Sequence, residues 1–168
     1  MSTLKTNNVQ VGQSVTATNN FTIYQPSSPD GTVRIGVGNS GATTADVASI
    51  SSGGNFSFNS GYGSVATAYA CRAWVNFNGT GTVAIRGSGN VTSITDNGTG
   101  AYTVNFSNAM PDANYCTNAT GTHDGGAYVA WGTVANDTPP TTSAVRVDFL
   151  NASSTTADVS FAQVSIIR

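Results

Sequence analysis

Apolar and polar residues alternate with a period of two at several places along this chain, the signature of strands that bury one face. In the stretch 31–37, Val33, Ile35 and Val37 alternate with Thr32, Arg34 and Gly36. Further on, Tyr102, Val104 and Phe106 alternate with Thr103 and Asn105, and Val145, Val147 and Phe149 oppose Arg146 and Asp148. Turn signals punctuate these runs. Pro26 and Pro29-Asp30-Gly31 break the first part, while Asn78-Gly79 and Asp96-Asn97-Gly98 suit tight hairpins because Asn and Gly tolerate positive φ. In the last run Val159 and Phe161 set one parity and Val164 and Ile166 the other, which predicts a bulge or bend near Ala162 or Gln163.

Read this way, residues 1–50 form an extended N-terminal arm of short strands at Val9–Val15, Phe21–Tyr24, Thr32–Val37 and Asp46–Ile50. Residues 51–64 are rich in Gly and Ser and read as a linker. From 65 to 168, strands recur about every ten residues, roughly eight in all, which predicts a jelly-roll-like two-sheet β-sandwich. Composition strengthens the all-β reading. Leu occurs only at Leu4 and Leu150 and Glu is absent, whereas Ser, Thr, Asn and Gly make up almost half of the 168 residues. Good helix formers are therefore missing, and residues favoured in turns and strands dominate. Leu, Ile, Val and Phe amount to only about a fifth of the chain. With so small a core per residue, burial against further copies or a partner is expected.

Charge is sparse: 8% of residues, with a formal net charge of −2. The six basic residues, Lys5, Arg34, Arg72, Arg86, Arg146 and Arg168, are dispersed, so no stripe exists to neutralise phosphates, and neither nucleic acid nor an anionic membrane surface is an expected partner. No apolar run reaches membrane-spanning length, and 1–10 lacks the pattern of a signal peptide. Synthesis in a cytosol is the expectation, and with it two free thiols at Cys71 and Cys116.

Candidate chemistry is thin. Gly36-Val-Gly38-Asn-Ser-Gly41 fits the dinucleotide pattern formally, but phosphate binding needs a helix to begin at that turn, and the following residues have little helical character. His123 is the only histidine, and His123-Asp124 lies in a Gly-rich turn without a second histidine or paired cysteines to complete a metal site. The eight aspartates are the only carboxylates, and most sit beside Gly, Pro or Asn, where a short side chain bonds the local backbone; a glycosidase would need two facing each other. No catalytic, cofactor-binding or metal site is therefore expected. Tyr69, Trp74, Tyr102, Tyr115, Tyr128 and Trp131 fall at strand positions and are expected mostly in a core. Phe56, Phe58 and Tyr62 have no local core to bury them. Together with the arm residues Val33, Ile35 and Val37 they are the candidate intersubunit contacts.

The block Ala73-Trp-Val-Asn-Phe-Asn-Gly-Thr-Gly-Thr-Val-Ala-Ile-Arg, followed by Ser93-Ile-Thr-Asp-Asn-Gly-Thr-Gly-Ala-Tyr-Thr-Val-Asn-Phe and Ala109-Met-Pro-Asp-Ala-Asn-Tyr, resembles a β module of phage tail-fibre and other virion surface proteins, notably of phages from aquatic bacteria. Ser2-Thr-Leu-Lys, Thr16-Ala-Thr-Asn-Asn-Phe and Pro29-Asp-Gly-Thr-Val-Arg-Ile resemble openings of such chains. The resemblance implies a homotrimer and non-enzymatic attachment on the virion surface after synthesis in the host cytoplasm. The chain is short for a fibre, so a capsid cement or decoration protein that contacts the major capsid protein is the first expectation. A short tail fibre that meets tail proteins and a host surface glycan through the loops 108–114 and 121–126 is the alternative.

Overall fold

The computed structural model describes residues 6–122 and 129–168, and its strands divide between two compact units, Met1–Ala68 and Tyr69–Arg168. The chain is all-β, built on two antiparallel sheets. In the first unit, β1 (Asn8–Val11), β2 (Phe21–Tyr24), β3 (Thr32–Asn39), β4 (Ala42–Ser51), β5 (Phe56–Phe58) and β6 (Ala66–Thr67) form a six-stranded meander in sequence order. The short extended pieces expected of an arm thus pair with one another. Where the sequence reads a linker over 51–64, Gly54 at φ +81° turns the chain back and β5 pairs with β4, Ile50 opposite Phe56 and Ala48 opposite Phe58. A three-residue strand is too short to announce itself by periodicity. The formal phosphate motif lies within β3 and the β3–β4 turn, so a strand follows it and no helix N-terminus is formed there.

The second unit contains β7 (Cys71–Asn78), β8 (Ala84–Gly89), β9 (Val91–Gly98), β10 (Ala101–Phe106), β11 (Cys116–Thr122), β12 (Val129–Val134), β13 (Ala144–Leu150) and β14 (Phe161–Ile167). Their order in the sheet is β8-β7-β14-β11-β12-β13-β10-β9. β11, β12 and β13 are successive neighbours and β14 returns beside β11, a Greek key. The sheet folds over on itself, since Phe77 of β7 meets Tyr102 of β10 at 5.1 Å and Phe149 of β13 at 6.4 Å, all edge-on. Its two edge strands are consecutive in the chain, joined only by Asn90 at φ 55°. Asn90 stays in this left-handed conformation because its side chain accepts a hydrogen bond from Asn108 N–H at 2.8 Å and donates to Asn108 C=O at 3.1 Å. The result is a nearly closed two-layer sandwich around Val75, Phe77, Tyr102, Val104, Val145, Val147, Phe149, Val159 and Ile166. Tyr102 is buried, and its hydroxyl lies 2.7 Å from Gly79 C=O and 2.9 Å from Asp158 Oδ1; a Cβ at position 79 would stand 2.6 Å from that hydroxyl. Burial, with Asp158 beside it, raises the Tyr102 pKa well above the ordinary tyrosine value.

Three local expectations change. Gly98 pairs with Ala101, so Thr99 and Gly100 form the β9–β10 turn and Asn97 is the extra residue of a bulge. The parity break in the last run precedes β14: Phe161 points outward, and Ala162, Val164 and Ile166 keep one unbroken inner face paired with β11. Outside, the Arg86 guanidinium lies 4.3 Å above the Phe161 ring centre, which gives that ring a partner without burial. The only register shift of β14 against β7 falls between Ile166 and Ile167. Finally, Trp74 and Trp131 point outward, because Ala73, Val75 and Phe77 take the inner face of β7, and Ala130 and Gly132 take that of β12, where Gly132 presses on Ala119.

Cys71 and Cys116 both lie opposite Ile167, on the two sides of β14. Two interstrand spacings, roughly 9–10 Å, separate them. A disulfide tolerates at most about 7 Å between Cα atoms. Both thiols are free and exposed. Both are therefore expected to react with a thiol reagent in the native protein, two equivalents per chain; a single or zero equivalent would contradict this placement.

Candidate functional site

The first sheet is amphipathic across its whole width. Pairing puts Val9, Ile23, Ile35, Ala48 and Phe58 in one row across β1 to β5, with Val11, Phe21, Val37 and Ala45 in a second and Val33, Ile50 and Phe56 in a third. Residues paired directly across strands share a face, so these side chains form a single apolar surface. A shift in the β3–β4 register between Ile35 and Gly36 keeps Ala45 on this face together with Ala48 and Ile50. No charged side chain belongs to these rows.

Val9, Val11, Phe21, Ile23, Val33, Ile50, Phe56 and Phe58 are each 42–54% exposed, while Ile35 and Val37 between them are half-buried. Eight large side chains about half exposed present on the order of 700 Å² of contiguous apolar surface, more than the ~300–600 Å² of a typical monomer's largest patch. Phe56 and Phe58 stack at 6.2 Å with an interplanar angle of 11°. Of the six residues singled out by sequence, five belong to this face. Tyr62 does not; it sits between Gly61 and Gly63, both at φ +88°, and is 92% exposed. Val9, Val11, Phe21, Ile23 and Ile50 complete the face and were missed, although Val9/Val11 and Phe21/Ile23 carry the same period-two signal as Val33/Ile35/Val37.

The opposite face of this sheet is polar and internally satisfied. Tyr24 donates to Asp46 Oδ1 at 2.5 Å, Arg34 Nη1 donates to Asp46 Oδ2 at 3.0 Å, and Arg34 Nη2 pairs with Asp30. The buried Asn20 anchors the loop after β1, bonding Ser14 N–H and C=O at 2.8 Å each and Asn39 Oδ1 at 2.6 Å. Such a face gains nothing from leaving water, whereas the other does, and the two sides of one sheet are thereby assigned opposite surroundings.

Each of the seven described aspartates meets a backbone amide, a hydroxyl or an arginine. Asp158 accepts from Gly100 N–H at 2.7 Å, Asp96 from Gly98 N–H at 2.9 Å, and Arg146 lies 3.5 Å from Asp137 and 3.6 Å from Asp148. A hydrogen bond from Thr32, with Arg34 beside it, lowers the Asp30 pKa, and the Asn114 N–H with Arg168 lowers that of Asp112. Both shifts run opposite to the raised pKa a general acid needs. A carboxylate whose folded pKa is lowered contributes stability above its unfolded value, and loses it as pH falls through the folded value. The melting temperature is expected to stay level from neutral pH to about 5 and to fall below about 4, since both groups start from 3.8. Asp112→Asn should flatten that acid limb; an unchanged limb would remove Asp112 from its cause. Among the described residues no group of three His, Cys or Asp side chains is placed to hold a metal ion, and His123-Asp124 lies outside the described residues. No family model matches the sequence, and neither a curated protein nor a solved structure matches the chain.

Proposed function

We propose that this chain is a non-enzymatic structural protein of the phage virion surface, a homotrimeric cement protein that decorates the capsid and works by interface burial. The observation that carries the reading is the uncharged apolar face of the first sheet. A single-layer sheet with one bare apolar face lacks half of its packing, and its partner surface must be equally apolar and uncharged. A second copy of the same face meets that requirement. Three such faces turned toward one axis would form the core of a triangular prism, each burying an area close to the ~800 Å² per partner of a standard interface. The polar side of the sheet would then face outward, available to the major capsid protein. In this form the first fifty residues act as a sheet that joins subunits, in place of an arm that threads between them.

Placement on the head rests on the sequence resemblance, and its test is stoichiometry. In purified virions, an abundance comparable with the major capsid protein is the expected result. A level far below it would move the protein to the tail, where the short-fibre reading holds. That second reading is favoured by one observation of its own, the outward-facing tryptophans of the second unit.

A further inference from the structure

We propose that the outer face of β7, β14, β11 and β12 is a binding groove for a neutral oligosaccharide. Cross-strand pairing sets Trp74, Ser165 and Asn118 in one row and Asn76, Gln163, Thr120 and Trp131 in the next. Between them lies an open groove of about 450 Å³. Its polar side chains are Asn76, Asn118, Thr120, Gln163 and Ser165, and none of the lining residues is charged.

Several features point to a sugar. Trp74 is 48% exposed and Trp131 is 46% exposed, although a tryptophan gains by burial wherever a core can take it. The Trp74 indole lies along β8, its Nε1 end against Gly89 and its benzo end against Gly87; a Cβ at position 89 would stand 2.5 Å from Nε1. Glycine at the two β8 positions beside Trp74 therefore clears a bed for the ring and fixes its orientation. Trp131 lies just beyond the lining residues, paired with Thr120, three interstrand spacings or roughly 14 Å from Trp74 along the sheet. The side chains of Asn118, Thr120, Gln163 and Ser165 make no hydrogen bond within the protein among the described residues, so their donors and acceptors are free for a ligand. A pyranose offers the complement of this surface, a C–H face for an indole and a rim of hydroxyls for amides and alcohols. An anionic ligand would meet a single cation at the edge, Arg86, whose Nη1 already donates to Asn76 Oδ1 at 3.4 Å, and a purely apolar partner would strand four or more polar groups without hydrogen bonds. None of the residues lining the groove belongs to 108–114 or 121–126.

The test uses the full chain labelled with nitrogen-15. Two tryptophans give two indole N–H signals, assigned with Trp74→Phe and Trp131→Phe. The probes are neutral hexaoses of gluco, galacto, manno and N-acetylglucosamine type, with a sulfated oligosaccharide as the anionic arm. At least one neutral probe is expected to shift both indole signals saturably at millimolar concentration. Trp74→Ala should weaken that probe tenfold or more and Gln163→Ala several-fold, with the oligomeric state unchanged. Indole signals that no neutral probe moves, response to the sulfated probe alone, or full affinity in Trp74→Ala would each overturn the proposal. Failure here leaves the assembly reading untouched, since that rests on the other unit.

Discussion

Ile35→Asp is expected to abolish the proposed trimer and leave a monomer. Ile35 stands at the centre of the apolar face, paired with Ile23 on one side and Ala48 on the other. In a trimer joined by this face, three introduced carboxylates would be driven toward one another in an apolar interface. Removing one unpaired charge from water costs several kcal/mol even after relaxation, and like charges brought together add to it. Each 1.4 kcal/mol is about a factor of ten in association, so three such terms place the trimer out of reach at micromolar concentration. Ser49→Asp, on the polar face of the same sheet opposite Arg34, is the matched control and should remain trimeric. Light scattering behind a sizing column reads both. An Ile35→Asp protein that elutes like the parent would show that this face is not the joint.

Phe77→Ala is expected to cost about 3–5 kcal/mol, the range for deleting a buried phenylalanine. The ring is fully buried and packs edge-on against Tyr102 and Phe149, so its loss opens a cavity where the two layers of the second unit meet. The neighbours cannot close it easily: Tyr102 is held by its hydroxyl near Gly79 and Asp158, and the Phe149 ring presses on Gly121, 2.8 Å from where a Cβ would stand. For a unit of this size the loss corresponds to a melting temperature lower by roughly 12–25 °C, read by calorimetry. Below that temperature the oligomeric state should be unchanged, because the face proposed to join subunits belongs to the other unit. A drop of only a few degrees would mean that the second unit packs differently from this description.

The strands were legible in the sequence because alternation reports one buried face, and it does so locally. Phe21–Tyr24 is reproduced residue for residue, and the eight strands of the second unit agree with the count. Pairing was not legible. Nothing in Val33, Ile35 and Val37 says whether their neighbours come from the same chain or another, so a meander sheet read as an extended arm. Facing was partly legible: Val145, Val147 and Phe149 point inward as expected, but Trp74 alternates with Ala73 and Val75, and size alone favoured the tryptophan for the core. The inner layer has little room, because Gly121 lets the Phe149 ring come against the backbone and Gly132 lets Ala119 do the same. The turn at Thr99-Gly100 was displaced from the stronger Asn97-Gly98 signal by a bulge, which adds one residue without any composition of its own. For the apolar face, each pair of residues carried the signal singly, and only the register of five strands assembles them into one surface.

Sedimentation equilibrium of the intact chain at micromolar concentration tests most directly whether this face joins subunits. A single species of three times the 17.1 kDa chain mass is the expected result. A monomer, with the apolar face left in water, would contradict the assembly reading at its foundation.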